Sequence, residues 1–207
     1  MPKVSQEYLD GRRSEILDAA ILCFARDGFH RTTMKDIVRE SGLSPGAIYN
    51  YFQSKEEIIA AIALRRQAKE RQLVLEAIAN GPAAGALQRV RDAFLEELDD
   101  PKERRRRRVS VQLWAEAQRS PEVGKIVRRS FEEPRGLLSQ VLREAQKQGA
   151  IEDWADPDAI ARFLIAAFHG LVLQREWDSH FSAEPHRELL DLLLRTLARK
   201  TEPAAVR

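Results

Sequence analysis

The residues Gly42-Leu43-Ser44-Pro45-Gly46 have the G-x-S-x-G spacing that raises a serine nucleophile between a strand and a helix in α/β-hydrolases. Aspartate and histidine residues follow in the order a triad would use. Two features oppose that chemistry. What precedes Ser44 reads as a capped helix rather than a strand, and Pro45 has no N–H to offer an oxyanion hole. A hydrolase using Ser44 is therefore set aside, and the chain is read as a non-enzyme. The same stretch holds groups suited to a different chemistry. Tyr49, Tyr51 and Thr33 carry hydroxyls and Lys55 a cation, all able to meet phosphate. Lys35 could donate to guanine and Asn50 could pair with adenine. The 4 histidines are scattered without ligand spacing and Cys23 is the single cysteine, so no metal, cofactor or internal disulfide is expected.

These donors need a scaffold, and start and stop signals supply it. Thr33 followed by Asp36 reads as a capping box opening a helix through Ile37 and Val38, and Gly42 reads as its left-handed stop. Ser44 then caps a short helix with Pro45 at its first position, where no N–H is needed. A second capping box, Ser54 with Glu57, opens a long helix to about Asn80. The turn Gly42-Leu43-Ser44 is too tight for antiparallel packing, so the two short helices must cross steeply, as in a helix-turn-helix. They must lean on a preceding helix (Ile16 to Phe24, stopped by Gly28) and on Ile58, Ile59 and Ile62 after them, with Ile48 and Phe52 as plugs. Apolar spacing is helical almost throughout, with further helices near 84–99, 103–119, 122–148 (kinked at Pro134), 157–178 and 185–199. The fold class is all-α.

Composition narrows the partners. The chain has 207 residues, 43% hydrophobic, enough for a substantial core. Lys+Arg is 34 against Asp+Glu 32, a net +2, so any charge aimed at nucleic acid must be placed locally. No apolar run approaches the ~20 residues of a membrane span and the N-terminus lacks a signal-type stretch, so a cytoplasmic protein is expected.

The span from Ile16 to about Ile62 resembles the DNA-binding domain of the TetR family of transcriptional regulators. The resemblance rests on Phe29-His30-Arg31-Thr32-Thr33, Ile37, Ser41-Gly42-Leu43-Ser44-Pro45-Gly46, Ile48-Tyr49-Asn50-Tyr51-Phe52 and Ser54-Lys55-Glu56-Glu57. It implies a three-helix DNA-binding domain over 10–70, with its motif at about 33–52. It further implies a larger helical domain over 81–199 for ligand binding and dimerisation, about nine helices in all, and a flexible tail at 200–207. It also implies phosphate roles for Thr33, Tyr49, Tyr51 and Lys55, and base-edge roles for Lys35, Pro45, Gly46, Ala47 and Asn50, with Ser44, which caps the recognition helix, among the DNA-binding residues. The expected partners are a palindromic duplex, a second copy of the chain and a small-molecule effector, anionic or amphipathic. The expected function is a ligand-responsive regulator, a repressor released from its operator by the effector. A non-specific architectural DNA-binding protein is the alternative, and it predicts equal affinity for all duplexes.

In the C-terminal part, the leucines from Leu189 to Leu197 span roughly 200° at 100° per residue, about twice what one-sided packing needs. The helix 157–178 is similarly broad. A dimer interface is expected through Ile160, Phe163, Leu164, Phe168, Leu171, Leu189, Leu193 and Leu197. Arg91 falls inside the apolar arc of Leu87, Val90, Phe94, Leu95 and Leu98. It either snorkels or pairs with an internal glutamate, the simpler reading, or holds an anionic effector in a pocket with Phe94, Trp114 and Phe131. His169 and Arg175 are further candidates there, Arg175 having a helix-end role as its alternative. The run Arg104–Arg108 reads as a solvated turn, with an anion site as the alternative, and Cys23 as a small buried hydrophobe.

Overall fold

The computed structural model describes residues 5–81, 85–178 and 180–198; the expected tail 200–207, and positions 84 and 199 at the ends of two expected helices, lie outside them. The described residues form nine α-helices: α1 (Gln6–Arg31), α2 (Met34–Ser41), α3 (Pro45–Tyr49), α4 (Lys55–Ala79), α5 (Ala86–Asp99), α6 (Arg104–Glu116), α7 (Pro121–Lys147), α8 (Pro157–Trp177) and α9 (Glu184–Leu197). Among them there is no strand, only an isolated antiparallel bridge between Ile151 and Ala198. A 3-10 turn, Pro101–Glu103, precedes α6.

The local signals act as their chemistry requires. Thr33 Oγ1 accepts from the Asp36 N–H while the Asp36 carboxylate accepts from the Thr33 N–H, closing the capping box. Gly42 ends α2 at φ 68°, a left-handed conformation that costs a glycine nothing. The Ser44 side chain accepts from the Ala47 N–H and Pro45 opens α3. At Ser54 the box is offset: its Oγ accepts from the Glu57 N–H, but the Glu57 carboxylate turns to the Gln53 N–H at 2.7 Å. Gly28, at φ 81° and ψ 165°, breaks α1 in a region open essentially to glycine alone, and the last residues to Arg31 form a separate turn. Pro134 does not interrupt α7, which runs unbroken from Pro121 to Lys147. Proline removes one backbone bond, and the turns on both sides hold the helix.

The helices gather into two compact units that interleave along the chain, where the sequence suggested a single break near 70–81. One unit comprises the chain through Ala68 together with Lys102–Arg129; the other comprises Lys69–Pro101 and the chain from Ser130. In the first, α1 packs on both α2 and α6. Its core is built from Ile16, Ala20, Cys23, Phe24, Ile37, Ile48, Phe52 and Ile58, with Val109 and Leu113 from α6. Helices of 8 and 5 residues cannot persist alone in water, so α2 and α3 exist because Ile37, Ile48 and Phe52 are buried in this core. In the second unit α5 packs on α8 and α9, and the rings of Phe94 and Phe168 meet with centroids 4.2 Å apart.

Candidate nucleic-acid interface

The first unit presents its donors on one continuous stretch of chain. Burial of Ile48 and Phe52 fixes the rotation of α3, leaving Ser44, Pro45, Gly46, Tyr49 and Asn50 exposed and Ala47 half-buried. Thr33 and Lys35 are exposed at the opening turn of α2. Tyr51 differs: its ring packs against the core and is only partly exposed. Gly46 has nothing within 4 Å of where a Cβ would stand, and its φ is not positive, so neither packing nor backbone geometry requires glycine there. The leading edge of α3 is thus bare, with the positive end of its dipole facing outward.

Two of the expected donors also hold the fold. The Lys55 ammonium donates to the carbonyls of Phe29 (2.7 Å) and Thr32 (3.0 Å), stabilising the end of α1 and leaving one N–H for another acceptor. Thr33 Oγ1 donates to Asp36 at 2.6 Å. This bond, followed by the Thr33 backbone N–H, holds the Asp36 carboxyl below the usual carboxylate range. Cys23 is fully buried, and burial pushes its thiol up, away from reactivity. Ser44 follows a helix and serves as a cap, so the strand-fed elbow of a hydrolase is not formed.

Gln112 on α6 spans the break at Gly28. Its Oε1 accepts from the Phe29 N–H (3.1 Å) and its Nε2 donates to the Phe24 carbonyl (3.0 Å). One amide side chain thereby supplies two bonds at the break and braces the segment leading into the α2 cap. At a separation of 83 residues, no spacing in the sequence points to this pair.

Of the six residues expected to bind an effector, Arg91 and Phe94 line a recess of the second unit, between α5, α7, α8 and α9. Trp114 belongs to the first unit. Phe131 and His169 meet each other instead, ring centroids 4.3 Å apart, with His169 Nδ1 donating to the Ile165 carbonyl at 2.7 Å. Arg175 lies over the Phe181 ring at 5.9 Å. The recess wall on α8 is formed by Leu164, Ile165, Phe168 and Leu171. One residue is a 100° step, which turns His169 away from it. For the same reason Leu164, Phe168 and Leu171, expected at a dimer interface, face their own unit. The large apolar residues left exposed on these two helices are Phe163 and Trp177 on α8 and Leu189, Leu192 and Leu193 on α9, with Ile160 and Leu197 half-buried. Arg91 is paired with two aspartates, Asp92 and Asp191, rather than a glutamate. The arginine run is not an all-round solvated turn either. Arg107 is buried where α6 packs on α1, and Arg106 pairs locally with Glu103 at 2.7 Å. Among the described residues no helix is long and apolar enough to cross a membrane, and no group of three or more His, Cys, Asp or Glu is placed to hold a metal.

Known proteins share this arrangement. Residues 16–62 match the model for bacterial regulatory proteins of the tetR family, and residues 82–199 match that for the C-terminal part of BetI-type transcriptional repressors. The chain is 30% identical to the HTH-type transcriptional regulator UidR of Escherichia coli over 79% of its own length and 81% of UidR. It is 54% identical over 61 residues to the uncharacterized HTH-type transcriptional regulator YfiR of Bacillus subtilis, a match covering 30% of either chain. The structure of Salmonella enterica GusR superposes with a TM-score of 0.72 at 28% identity, covering 93% of this chain and 99% of that one.

Proposed function

Because this chain belongs to the TetR family of bacterial regulatory proteins, a family of DNA-binding transcriptional regulators and not of enzymes, we propose that it is a cytoplasmic repressor released from a palindromic operator by a small-molecule effector. The observation that carries this reading is the leading edge of α3: Pro45 and Gly46 exposed and bare, with Ile48 and Phe52 locked in the core behind them. A helix presented in this way enters a major groove with its first turn near the base edges. Pro45, Gly46, Ala47 and Asn50 on α3, and Lys35 on α2, take the base-edge positions. Thr33, Tyr49, Tyr51 and the remaining N–H of Lys55 take phosphates.

The second copy comes through the outer face of α8 and α9, where Phe163 (55% exposed), Leu189, Leu192 and Leu193 present apolar surface that a monomer would leave in water. A two-fold dimer sets two recognition helices about 34 Å apart, one turn of the duplex. The effector occupies the apolar recess between α5, α7, α8 and α9. The chain passes from the first unit into the second within α4, between Ala68 and Lys69, so this helix supplies a covalent route for effector occupancy to reach the recognition helices. An effector acts only by binding one spacing of those helices better than the other.

Selection of bound duplexes from a random pool, at fixed salt, tests the reading. The expected product is a palindromic consensus bound far more tightly than random duplex. A pool that shows no enrichment, with equal affinity throughout, would mean an architectural protein instead.

A further inference from the structure

We propose that the recess of the second unit takes an apolar monocarboxylate, and that its head group competes with Asp191 for Arg91. This deepens the effector reading above and rests on it. The recess is a narrow apolar cleft with about 40 Å3 of free volume, partly open to solvent. Arg91 is the only charged residue in its wall; the others, among them Phe94, Leu138, Ile165, Phe168 and Leu194, are apolar. An apolar body matches this lining, and Arg91 offers an anion the place that Asp191 now fills.

The pairing of Arg91 selects the charge of that anion. Its Nε and Nη2 donate to Asp92 Oδ1 at 3.0 and 2.9 Å, and its Nη1 donates to Asp191. Asp92 also accepts from Arg187 and is held from two sides. Asp191 is the replaceable partner, because Arg187 also holds Asp92; both aspartates are 35% exposed and would meet water once released, whereas Arg91 is 10% exposed and must keep a partner where it stands. Exchange of one carboxylate for another leaves Arg91 neutralised and returns the Asp191 carboxylate to water, which screens its charge. A dianion would add uncompensated charge beside Asp92, a cation would face Arg91, and an uncharged ligand would leave the Arg91–Asp191 bond in place. The exchange also removes a tie between α5 and α9, the helix whose outer leucines form the proposed dimer face.

Calorimetric titration of the full chain with decanoate and with 1-decanol tests the proposal. Decanoate is expected to bind at least tenfold more tightly than decanol. Arg91→Gln should abolish that preference, and Asp191→Asn, which removes the charge of the competitor, should tighten decanoate at least threefold while leaving decanol unchanged. Circular dichroism checks that both variants fold, and the Asp191→Asn arm stands without the other. Equal affinities for the two probes, no binding of either, or decanoate binding that fails to tighten in Asp191→Asn each overturns the proposal. Its failure is separable from that of the regulatory reading, because the unliganded chain would still enrich a palindrome from the random pool. Conversely, decanoate that binds as described but leaves operator affinity untouched sinks the effector role and keeps the ligand class.

Discussion

Gly46→Ala should make the protein more stable and a worse binder of its operator. The added methyl meets nothing within 4 Å, and the backbone of Gly46 is not in the left-handed region, so alanine fits without strain. The α3 bond from the Asn50 N–H to the Gly46 carbonyl, at 3.2 Å, does not involve the side chain. Replacing glycine at a compatible position removes freedom from the unfolded chain and adds about 0.4–1 kcal/mol of stability. For a chain of this length that raises Tm by about 1–4 °C. On DNA the sign reverses. If the first turn of α3 approaches the base edges as closely as its bare surface allows, the methyl displaces it and costs about as much as one mismatched base pair, ~1–3 kcal/mol. Affinity for the selected duplex should therefore fall about 5- to 150-fold. Differential scanning fluorimetry and fluorescence anisotropy at one salt concentration read the two effects separately. A stabilised variant with unchanged operator affinity would refute the placement of α3 in the groove. A loss of stability would refute the description of Gly46 as unconstrained.

Gln112→Leu removes both bonds at the Gly28 break; at ~1 kcal/mol each, with water from the adjoining polar cleft meeting part of the loss, the cost is about 2 kcal/mol, read as a lower urea midpoint. An unmoved midpoint would show that the brace carries no load. Thr33→Val tests the capping box through pH. The Asp36 carboxyl is held below its unfolded value of about 3.9, so its contribution is complete above that value and is lost as pH falls through the folded one. The gap in urea midpoint between wild type and variant should therefore be wider at pH 6 than near pH 3, and a gap independent of pH counts against the assignment. Leu189→Glu combined with Leu192→Glu places charge on the outer face of α9 and should yield monomers in sedimentation equilibrium, with helicity retained; a persistent dimer would move the interface elsewhere.

The sequence by itself determined the local architecture of the DNA-binding unit. A cap is a bond between groups within four residues of each other, as in Thr33 with Asp36 and Ser44 with Ala47, so residue type and spacing suffice to place it. The plugs Ile48 and Phe52 followed, because two short helices in a tight turn have few apolar residues to bury. Tertiary structure decided what depends on distant chain. Gln112 reaches a backbone break 83 residues away, Arg91 finds Asp191 100 residues away, and Lys55 spends its ammonium on carbonyls of α1. An apolar arc wider than one face shows that a helix has two neighbours without showing which half each takes. For that reason Phe168 and Leu171 turn inward to a recess while Phe163, Leu189 and Leu192 stay outside. The physical reason is common to all of these. Local bonds are fixed by covalent proximity, whereas long-range partners are set by how whole helices rotate to bury their surfaces, which no short stretch of residues encodes.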